Sequence, residues 1–454
     1  MKPDVPAAED YREFLGLIER EGDLIRIKEP VDPRFEISAY ARRSCDLKGP
    51  AFIFEQVAGY PNWRVVAGGY GVLRRLLRAL GCDQKEAIER YREAIGKPVA
   101  PAQVSGAAPH QAIRWEGADV DLARLPITTH SELDAAPYIT AGVEVVKDAR
   151  SEIQHLGIHR MQVKGPRRLG FWGANQRRIT RTLLANEERG VETEIAVVLG
   201  GPPAFTIAAT ARVSHQIDKT GIAGALLGRP LEVYRCLTID VDVPVAEVVL
   251  EGVLLSGVRE EEGPFGEFTG CYSGTRTAPV MEVRAITTRQ NPLFQDALTG
   301  VPMTEDQTLM WLPRTVAIAE DARRVHPEIV AVNWAVADGG VYQAVIALRK
   351  RLETEVWSVI SHVLSGNSLV KYCVVVDEDI DVFDPQQVAW AINTRAQPHR
   401  DVHIFPTMIG APLDPSASLP NQTSKLGIDA TIPLGEERWR YERIRVPGAD
   451  RVKW

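Results

Sequence analysis

The stretch Glu260-Glu261-Glu262-Gly263-Pro264-Phe265-Gly266-Glu267-Phe268-Thr269-Gly270 sets four carboxylates around a Gly-Pro-Phe-Gly turn, with Glu262 and Glu267 five residues apart. A solvated acidic turn accounts for Glu260 and Glu261, because charge runs usually face water. It accounts less well for Glu267, which lies beyond the turn between a glycine and an aromatic residue. On these residues alone, a surface turn and a site built on a carboxylate pair both stay open. The turn is flanked by runs of strand composition, Val245 to Leu254 before it and Met281 to Thr287 after it. Further runs rich in β-branched residues fall at Ile139 to Val146, Gly157 to Val163, Ile195 to Leu199, Phe205 to Ala209 and Leu231 to Val241. Helical patterns interrupt at 177–186 and 218–227. Many short strands with few helices predict a sheet closed into a barrel or stacked as a sandwich, which hides sticky edges.

The flanks differ from this centre. Phe14, Leu15, Leu17 and Ile18 fall at helical spacing, Gly22 ends that helix, and Leu24-Ile25-Arg26-Ile27 alternates. Glu36 to Arg43 and Val72 to Leu80 read as helices and Ala51 to Phe54 as a strand, which predicts a small α/β domain. Residues 97–113, rich in Pro, Ala, Gly and Gln, read as a connection. After Gly300, helices are expected at 305–320, 352–364 and Pro385 to Thr394, with a buried strand at Leu369 to Val376. That alternation implies a second α/β domain with a partly parallel sheet. Residues 410–454 show no strong period and read as a tail that wraps over a neighbour. The expected fold class is α/β (α+β), with domains at 1–110, 111–305 and 306–454.

A net charge of −7 without basic blocks argues against a nucleic-acid partner, which needs clustered Lys and Arg. No run approaches the roughly 18 apolar residues that span a bilayer, and the N-terminus has no signal-peptide core. Cys45, Cys82, Cys236, Cys271 and Cys373 are odd in number and scattered, giving neither a disulfide framework nor a zinc spacing. A cytoplasmic protein is the expectation. Gly-x-Gly-x-x-Gly, a Walker loop, Gly-x-Ser-x-Gly and Cys-x-x-Cys are all missing from the sequence, which sets aside the common nucleotide-binding and serine-hydrolase readings.

Two other constellations bear chemistry. In His155-Leu156-Gly157-Ile158-His159-Arg160 two histidines stand four apart, but on a segment of strand character. Arg160 lies in apolar company with Ile158, Met161 and Val163, so its charge requires a carboxylate partner. Asp377-Glu378-Asp379-Ile380-Asp381 reads either as a cation site or as acids at a strand mouth before a helix.

Taken together, these residues resemble the UbiD-type family of flavin-dependent, non-oxidative decarboxylases. The resemblance runs along nearly the whole chain. Glu21-Gly22-Asp23-Leu24 and Gly49-Pro50-Ala51 are similar to its first domain. Pro137-Tyr138-Ile139-Thr140-Ala141-Gly142 and Leu156 to Val163 are similar to the start of its cofactor barrel. The most specific signature is Ala246-Glu247-Val248-Val249-Leu250-Glu251-Gly252 followed by Glu262-Gly263-Pro264-Phe265-Gly266-Glu267. Lys371 to Asp381 and Ser424-Lys425-Leu426-Gly427-Ile428-Asp429-Ala430-Thr431 complete it.

The resemblance implies an N-terminal α/β domain, a central split β-barrel holding prenylated FMN, and a C-terminal α/β domain used for oligomer contacts. It implies reversible decarboxylation of aromatic or α,β-unsaturated carboxylic acids, with CO2 as the other product. A flavin prenyltransferase would supply the cofactor, and a homodimer or homohexamer would be the assembly. The family's catalytic Arg-Glu-Glu set falls on Arg160, Glu262 and Glu267. Arg160 would hold the substrate carboxylate and pair with Glu262, and Glu267 would deliver the proton that replaces CO2. Cofactor contacts fall on His155, Ile158, Arg160, Gln176, Ala209, Thr210, Lys219 and Lys371, the last meeting the phosphate.

The family also binds a divalent metal (Mn or Mg) at the phosphate through Asn, His and Glu, with a monovalent cation (K) nearby. Here those three positions carry His155, Gln176 (or Asn175 after a one-residue slip) and Lys219, with Asp218 next door. Either the Lys219 ammonium replaces the metal, or the register shifts and Asp218 joins His155 and Gln176 as a ligand. The altered ligands also keep open an alternative function, a flavin-binding or assembly subunit without catalysis.

Overall fold

The computed structural model describes residues 7–148, 151–173, 178–300, 303–336, 341–417, 419, 421–448 and 451–452. The chain divides into two compact units, residues 1–316 and 317–454. Among the described residues no helix is long and apolar enough to cross a membrane.

The first unit opens with α1 (Tyr11–Arg20), β1 (Leu24–Ile27), α2 (Glu36–Leu47), β2 (Ala51–Phe54), β3 (Arg64–Ala67), α3 (Leu73–Leu80) and α4 (Gln84–Gly96). The Asp10 carboxylate caps α1 at the Glu13 N–H, and Tyr11, Phe14, Leu15 and Ile18 form its buried face. At the start of α4, Asp83 and Glu86 bond each other's backbone N–H.

The middle of the chain carries β4 (Ala102–Gln103), β5 (Ile113–Glu116), β6 (Tyr138–Ile139), β7 (Val143–Lys147), β8 (Gln154–Ile158), β9 (Met161–Gly165) and β10 (Arg168–Phe171). It continues with α5 (Arg178–Glu187), β11 (Thr193–Leu199), α6 (Pro203–Ala209), α7 (Lys219–Leu227), β12 (Glu232–Arg235), β13 (Asp242–Val243) and β14 (Val248–Glu262). Then come β15 (Phe265–Gly266), β16 (Tyr272–Ser273), β17 (Arg276–Thr288), β18 (Leu293–Gln295) and α8 (Glu305–Arg323).

Strands dominate here as the sequence suggests, with one reversal. Phe205 to Ala209 is helical, not extended. Pro202 and Pro203 preset the first turn, and Ala204, Ala208 and Ala209 favour helix over the two β-branched residues between them. The expected strand at Ile139 to Val146 is broken into two at Gly142, where a Cβ would stand 2.5 Å from the Val197 side chain. The 97–113 connection contributes β4, which pairs in parallel with β12.

The large sheet follows the order β6-β9-β10-β17-β14-β11-β7-β8, with β5 added beside β17. Strands β8 and β9 are consecutive in sequence, with His159 and Arg160 between them, yet stand at or next to opposite ends of this order. The sheet must therefore curl until its ends nearly meet. No hydrogen-bonded pair closes it among the described residues, so it is a split barrel rather than a closed one. Ile139, Leu169, Val197, Leu250 and Val283 belong to the apolar cluster that fills it. The chain's longest strands, β14 and β17, make a hairpin whose register runs from Val248 opposite Thr288 to Glu262 opposite Arg276. The acidic stretch is the tip of that hairpin. A separate four-stranded sheet, β1-β2-β3-β18, ends at Gln295.

The second unit holds β19 (Ile329–Trp334), β20 (Gln343–Leu348), α9 (Glu353–Gly366), β21 (Tyr372–Asp377), α10 (Pro385–Arg395), α11 (Pro398–Asp401), β22 (Val402–Ile409) and β23 (Gln422–Ala430). Their order is β19-β20-β21-β23-β22, with β21 parallel to both of its neighbours. Strand β23 lies in the expected tail. Its inward positions include Lys425, whose ammonium donates to the carbonyls of Leu364 and Asn367, so the usual apolar alternation is missing from the sequence. In the acidic run, Asp377 and Asp379 are gathered by the buried Arg395 at 2.7–2.9 Å.

Candidate active site

Arg160 stands at the seam between the two ends of the curled sheet. Its Nε and Nη2 donate to Glu262 Oε1 and Oε2 at 2.8 and 2.6 Å, a two-pronged pair. Its Nη1 donates to Ser273 Oγ at 3.0 Å and forms an ion pair with Glu267. The guanidinium also lies 5.2 Å from the Trp172 ring and 5.1 Å from the Phe265 ring. Glu262 is fully buried, and Arg160 and Glu267 are each 8% exposed. The sequence asked for a carboxylate partner for Arg160, and Glu262 is that partner. The structure brings Arg160, Glu262 and Glu267 into direct contact.

The hairpin tip is held rigidly enough to aim two carboxylates. Gly263 has φ +94°, and a Cβ there would stand 2.8 Å from the Gly274 carbonyl oxygen. The Gly266 N–H donates to Asp134 Oδ1 at 2.9 Å, and the Pro264 carbonyl accepts from the Ala135 N–H at 3.0 Å. Phe265 is buried against the Tyr138 ring, with centroids 4.5 Å apart. Gln307 Nε2 donates to the Phe268 carbonyl at 2.7 Å. Glu260 pairs with Arg168 at 2.7 Å on the outside and Glu261 is exposed. The acidic stretch thus divides, with two carboxylates facing outward and two facing Arg160.

Sequence reasoning missed Arg276 and Trp172. Arg276 is the cross-strand partner of Glu262, and its guanidinium lies 4.6 Å from the Trp172 ring, which also meets Arg160. Its buried Nε has no hydrogen-bond partner among the described residues. Burial and then the Arg160 charge pull its pKa down, against the pull of Glu262. Only the hairpin register, which the sequence does not print, places this arginine beside the pair. Tyr138 is a third addition: burial first, and then the Glu262 charge, push its phenol well above its ordinary value.

The expected cofactor residues gather elsewhere in the first unit. His155 and Ile158 lie on β8. Burial, and then the Arg178 charge, push His155 down to about 4, so it is neutral. Its ring packs edge-on against His215 at 5.8 Å, and its buried Nδ1 has no hydrogen-bond partner among the described residues. His159, by contrast, is held by Glu144 through its N–H and Nδ1 at 2.9 and 3.0 Å, so the two histidines share no site. Lys219 begins α7. Its buried ammonium donates to the carbonyls of Leu156 and Ala209 at 2.9 and 2.6 Å. Asp218 caps α7, accepting from the Thr220 N–H at 2.8 Å, and burial raises its pKa. Thr210 ends α6 and donates to the Ile207 carbonyl at 2.8 Å. Gln176, and Asn175 beside it, lie outside the described residues. Lys371 belongs to the second unit, where it donates to Asp414 and Ser416 at 2.8 and 2.5 Å. Among the described residues no group of three or more His, Cys, Asp or Glu side chains could hold a metal ion.

Near His155 two glycines keep the packing tight. A Cβ on Gly157 would meet His159 at 2.8 Å, and one on Gly173 would meet Thr180 Oγ1 at 2.7 Å. Thr180 Oγ1, like His155 Nδ1, is buried and without a hydrogen-bond partner among the described residues. Buried polar atoms normally find partners, so these two atoms are the candidates here for a polar contact with a ligand.

Comparison with known proteins accounts for this arrangement. Residues 15–95, 102–302 and 307–430 match the N-terminal, Rift-related and C-terminal domains of 3-octaprenyl-4-hydroxybenzoate carboxy-lyase, UbiD. The phenolic acid decarboxylase of Bacillus subtilis (strain 168) is 34% identical over 448 residues, covering 95% of this chain and 94% of that protein. The UbiD-class enzyme HmfF from Pelotomaculum thermopropionicum, solved with FMN, is 38% identical with a TM-score of 0.92, covering 98% of this chain and 99% of that one. An evolved dimeric form of that enzyme, solved with prFMN, is 36% identical with a TM-score of 0.88 and the same coverage. The chain belongs to the UbiD family and is a carboxy-lyase of the decarboxylase class.

Proposed function

We propose that the protein catalyses the reversible, non-oxidative decarboxylation of an aromatic or α,β-unsaturated carboxylic acid, with prenylated FMN as cofactor. The observation that carries this reading is the buried contact of Arg160 with both Glu262 and Glu267 against the Trp172 and Phe265 rings. The buried His155 Nδ1 and Thr180 Oγ1, without hydrogen-bond partners among the described residues, suit a polar cofactor, and the structures solved with FMN and prFMN support a prenylated flavin. His155, Ile158, Ala209, Thr210 and Lys219 would hold it. A flavin prenyltransferase would supply it, and the working form would be a homo-oligomer. The bound flavin would serve as the electron sink that loss of CO2 from an sp2 carbon requires.

The chain's own residues set charge and protons. Arg160 and Arg276 carry two positive charges, and Glu262 and Glu267 two negative ones. A substrate carboxylate entering this site adds a third negative charge in a place with little water. The simplest relief is uptake of one proton, and Glu267 is the better acceptor of it. Glu262 is fully buried and holds both prongs of Arg160, whereas Glu267 meets the guanidinium through one nitrogen. Substrate binding thereby places a proton on Glu267, beside the carbon that CO2 will leave. Arg160 positions the carboxylate, Glu262 fixes Arg160, and Glu267 returns the proton to that carbon. The Trp172 and Phe265 rings exclude water and favour a flat apolar acid.

Glu267→Gln tests the assignment, because an amide keeps the shape and cannot donate that proton. The variant should retain flavin and lose turnover by about 10²–10⁴. It should also fail to exchange solvent deuterium into the product. Turnover at the wild-type rate would remove Glu267 from the mechanism.

A further inference from the structure

In the UbiD-type pattern a divalent metal and a monovalent cation neutralise the cofactor phosphate. The residues here do not fit a metal. The position of its glutamate ligand is Lys219, and the neighbouring Asp218 spends its carboxylate on the α7 cap. Of the three aligned ligand positions His155 is the only described one that could coordinate, and even with Asp218 beside it no acidic or histidine cluster completes a shell among the described residues.

What stands there instead is a fixed cation. Lys219 is 6% exposed, and its ammonium is gripped by carbonyls from two separate segments, Leu156 on β8 and Ala209 at the end of α6. Converging carbonyl oxygens are the ligands a hard cation takes, and an ammonium is close to K+ in size and charge. Arg178 adds a second charge nearby. Its guanidinium donates to the carbonyls of Ile217, Val213 and Ser214, pinning the loop that leads into Lys219. Together the two side chains place two positive charges here. A divalent ion beside them would meet the repulsion of both, and the neighbouring carboxylates, Asp218 and Asp148, already face Arg178 and His155.

We propose that Lys219 occupies the place of the monovalent cation and, with Arg178, replaces the divalent metal, so that this enzyme holds the flavin phosphate without metal ions. The proposal rests on the flavin reading above. Lys219 and Arg178 would bind through charge and through the order they impose on the 211–218 loop, and neither takes part in the chemical step.

The test is flavin binding, read independently of turnover. Flavin-loaded protein is dialysed against a chelator in potassium-free buffer, then assayed for retained flavin by absorbance and for metals by elemental analysis. FMN is also titrated by fluorescence with and without Mn2+ and K+. Retained flavin, no stoichiometric divalent ion and an FMN affinity indifferent to both ions are expected. Lys219→Glu should weaken FMN binding by at least about tenfold, the loss of one charge-assisted contact, and added Mn2+ should restore part of it. Stoichiometric metal in the wild type, flavin release on chelation, or undiminished FMN binding by K219E would each overturn the proposal. Should K219E fail to fold, the wild-type measurements decide alone. A wild-type protein that binds no flavin under any ionic condition would instead refute the flavin reading itself.

Discussion

Glu262→Gln is the most informative single change to the Arg160 site. The glutamate is fully buried and accepts two charge-assisted bonds, at 2.8 and 2.6 Å, from an arginine whose side chain is 5% exposed. Breaking one side of a buried ion pair costs about 3–5 kcal/mol, because the partner's charge is left uncompensated. Here Glu267 and Ser273 still meet Arg160, and the amide keeps one acceptor, so about 2–3 kcal/mol is expected. In a unit of this size that lowers the melting temperature by about 5 °C. The kinetic loss should be larger in proportion. With Glu262 neutral, Glu267 becomes the sole anion facing Arg160, is held ionised, and cannot carry the proton, so turnover falls by about 10²–10⁴. Melting curves of the flavin-loaded protein and steady-state rates read the two effects. The triple variant Arg160→Met with Glu262→Leu and Glu267→Gln provides the control, because removing all three charges leaves none of them stranded. It should be more stable than Glu262→Leu alone. Strictly additive losses, or an E262Q enzyme with wild-type melting and turnover, would refute the account of the pair.

Two further expectations are independent of that pair. Glu305 is buried with no hydrogen-bond partner for either carboxylate oxygen among the described residues, and burial first, then Asp296, push it up to about 8 from 4.5. The folded state therefore binds its proton more tightly. That contribution to stability is complete below about pH 4.5 and is lost as pH rises through about 8. Glu305→Gln should melt with the wild type at pH 5 and above it at pH 8.5, and a variant less stable at pH 8.5 would contradict this. Arg276→Gln should raise KM by about tenfold with a small change in melting, because its Nε has no hydrogen-bond partner among the described residues and its charge, beside the Trp172 ring, offsets an incoming carboxylate. An unchanged KM would remove Arg276 from substrate binding.

How far the sequence could be read depended on how local each signal was. The Arg160 partner was legible because a guanidinium among apolar residues has few alternatives. The division of the acidic stretch was legible from the Gly-Pro-Phe-Gly turn and the family signature together. Arg276 was not, because its role depends on a thirteen-residue strand registering against its partner so that it falls opposite Glu262. Strand β23 was hidden because Lys425 fills an inward position by bonding carbonyls, which breaks the alternation that marks a strand. Phe205 to Ala209 was misread because five residues carry too little period to separate helix from strand. The two prolines before them were the better signal.

The order of the large sheet explains why the site lies where it does. Counting along β6-β9-β10-β17-β14-β11-β7-β8, strand β14 is three steps from β9 and three steps from β8. In a flat sheet three steps are about 14 Å, so a close contact calls for the tip of β14 to bend toward β9. Arg160 joins β8 to β9, and it meets the end of β14 at 2.6 Å. The Glu262 side chain lies over Gly170 of β10, where a Cβ would stand 3.5 Å from its Cγ, and the Gly263 N–H donates to Gln162 of β9 at 3.3 Å, so the tip of β14 bends back over the β9–β10 end of the sheet. Two consequences follow from this geometry. The Arg160–Glu262 pair ties the connection between β8 and β9 to the tip of the β14–β17 hairpin. The same bend is what turns Glu262 and Glu267 inward while Glu260 and Glu261 stay outside. The anchoring of the hairpin tip and the placement of the proposed proton-carrying acid thus share one ion pair, which is why a single amide at Glu262 should disturb both.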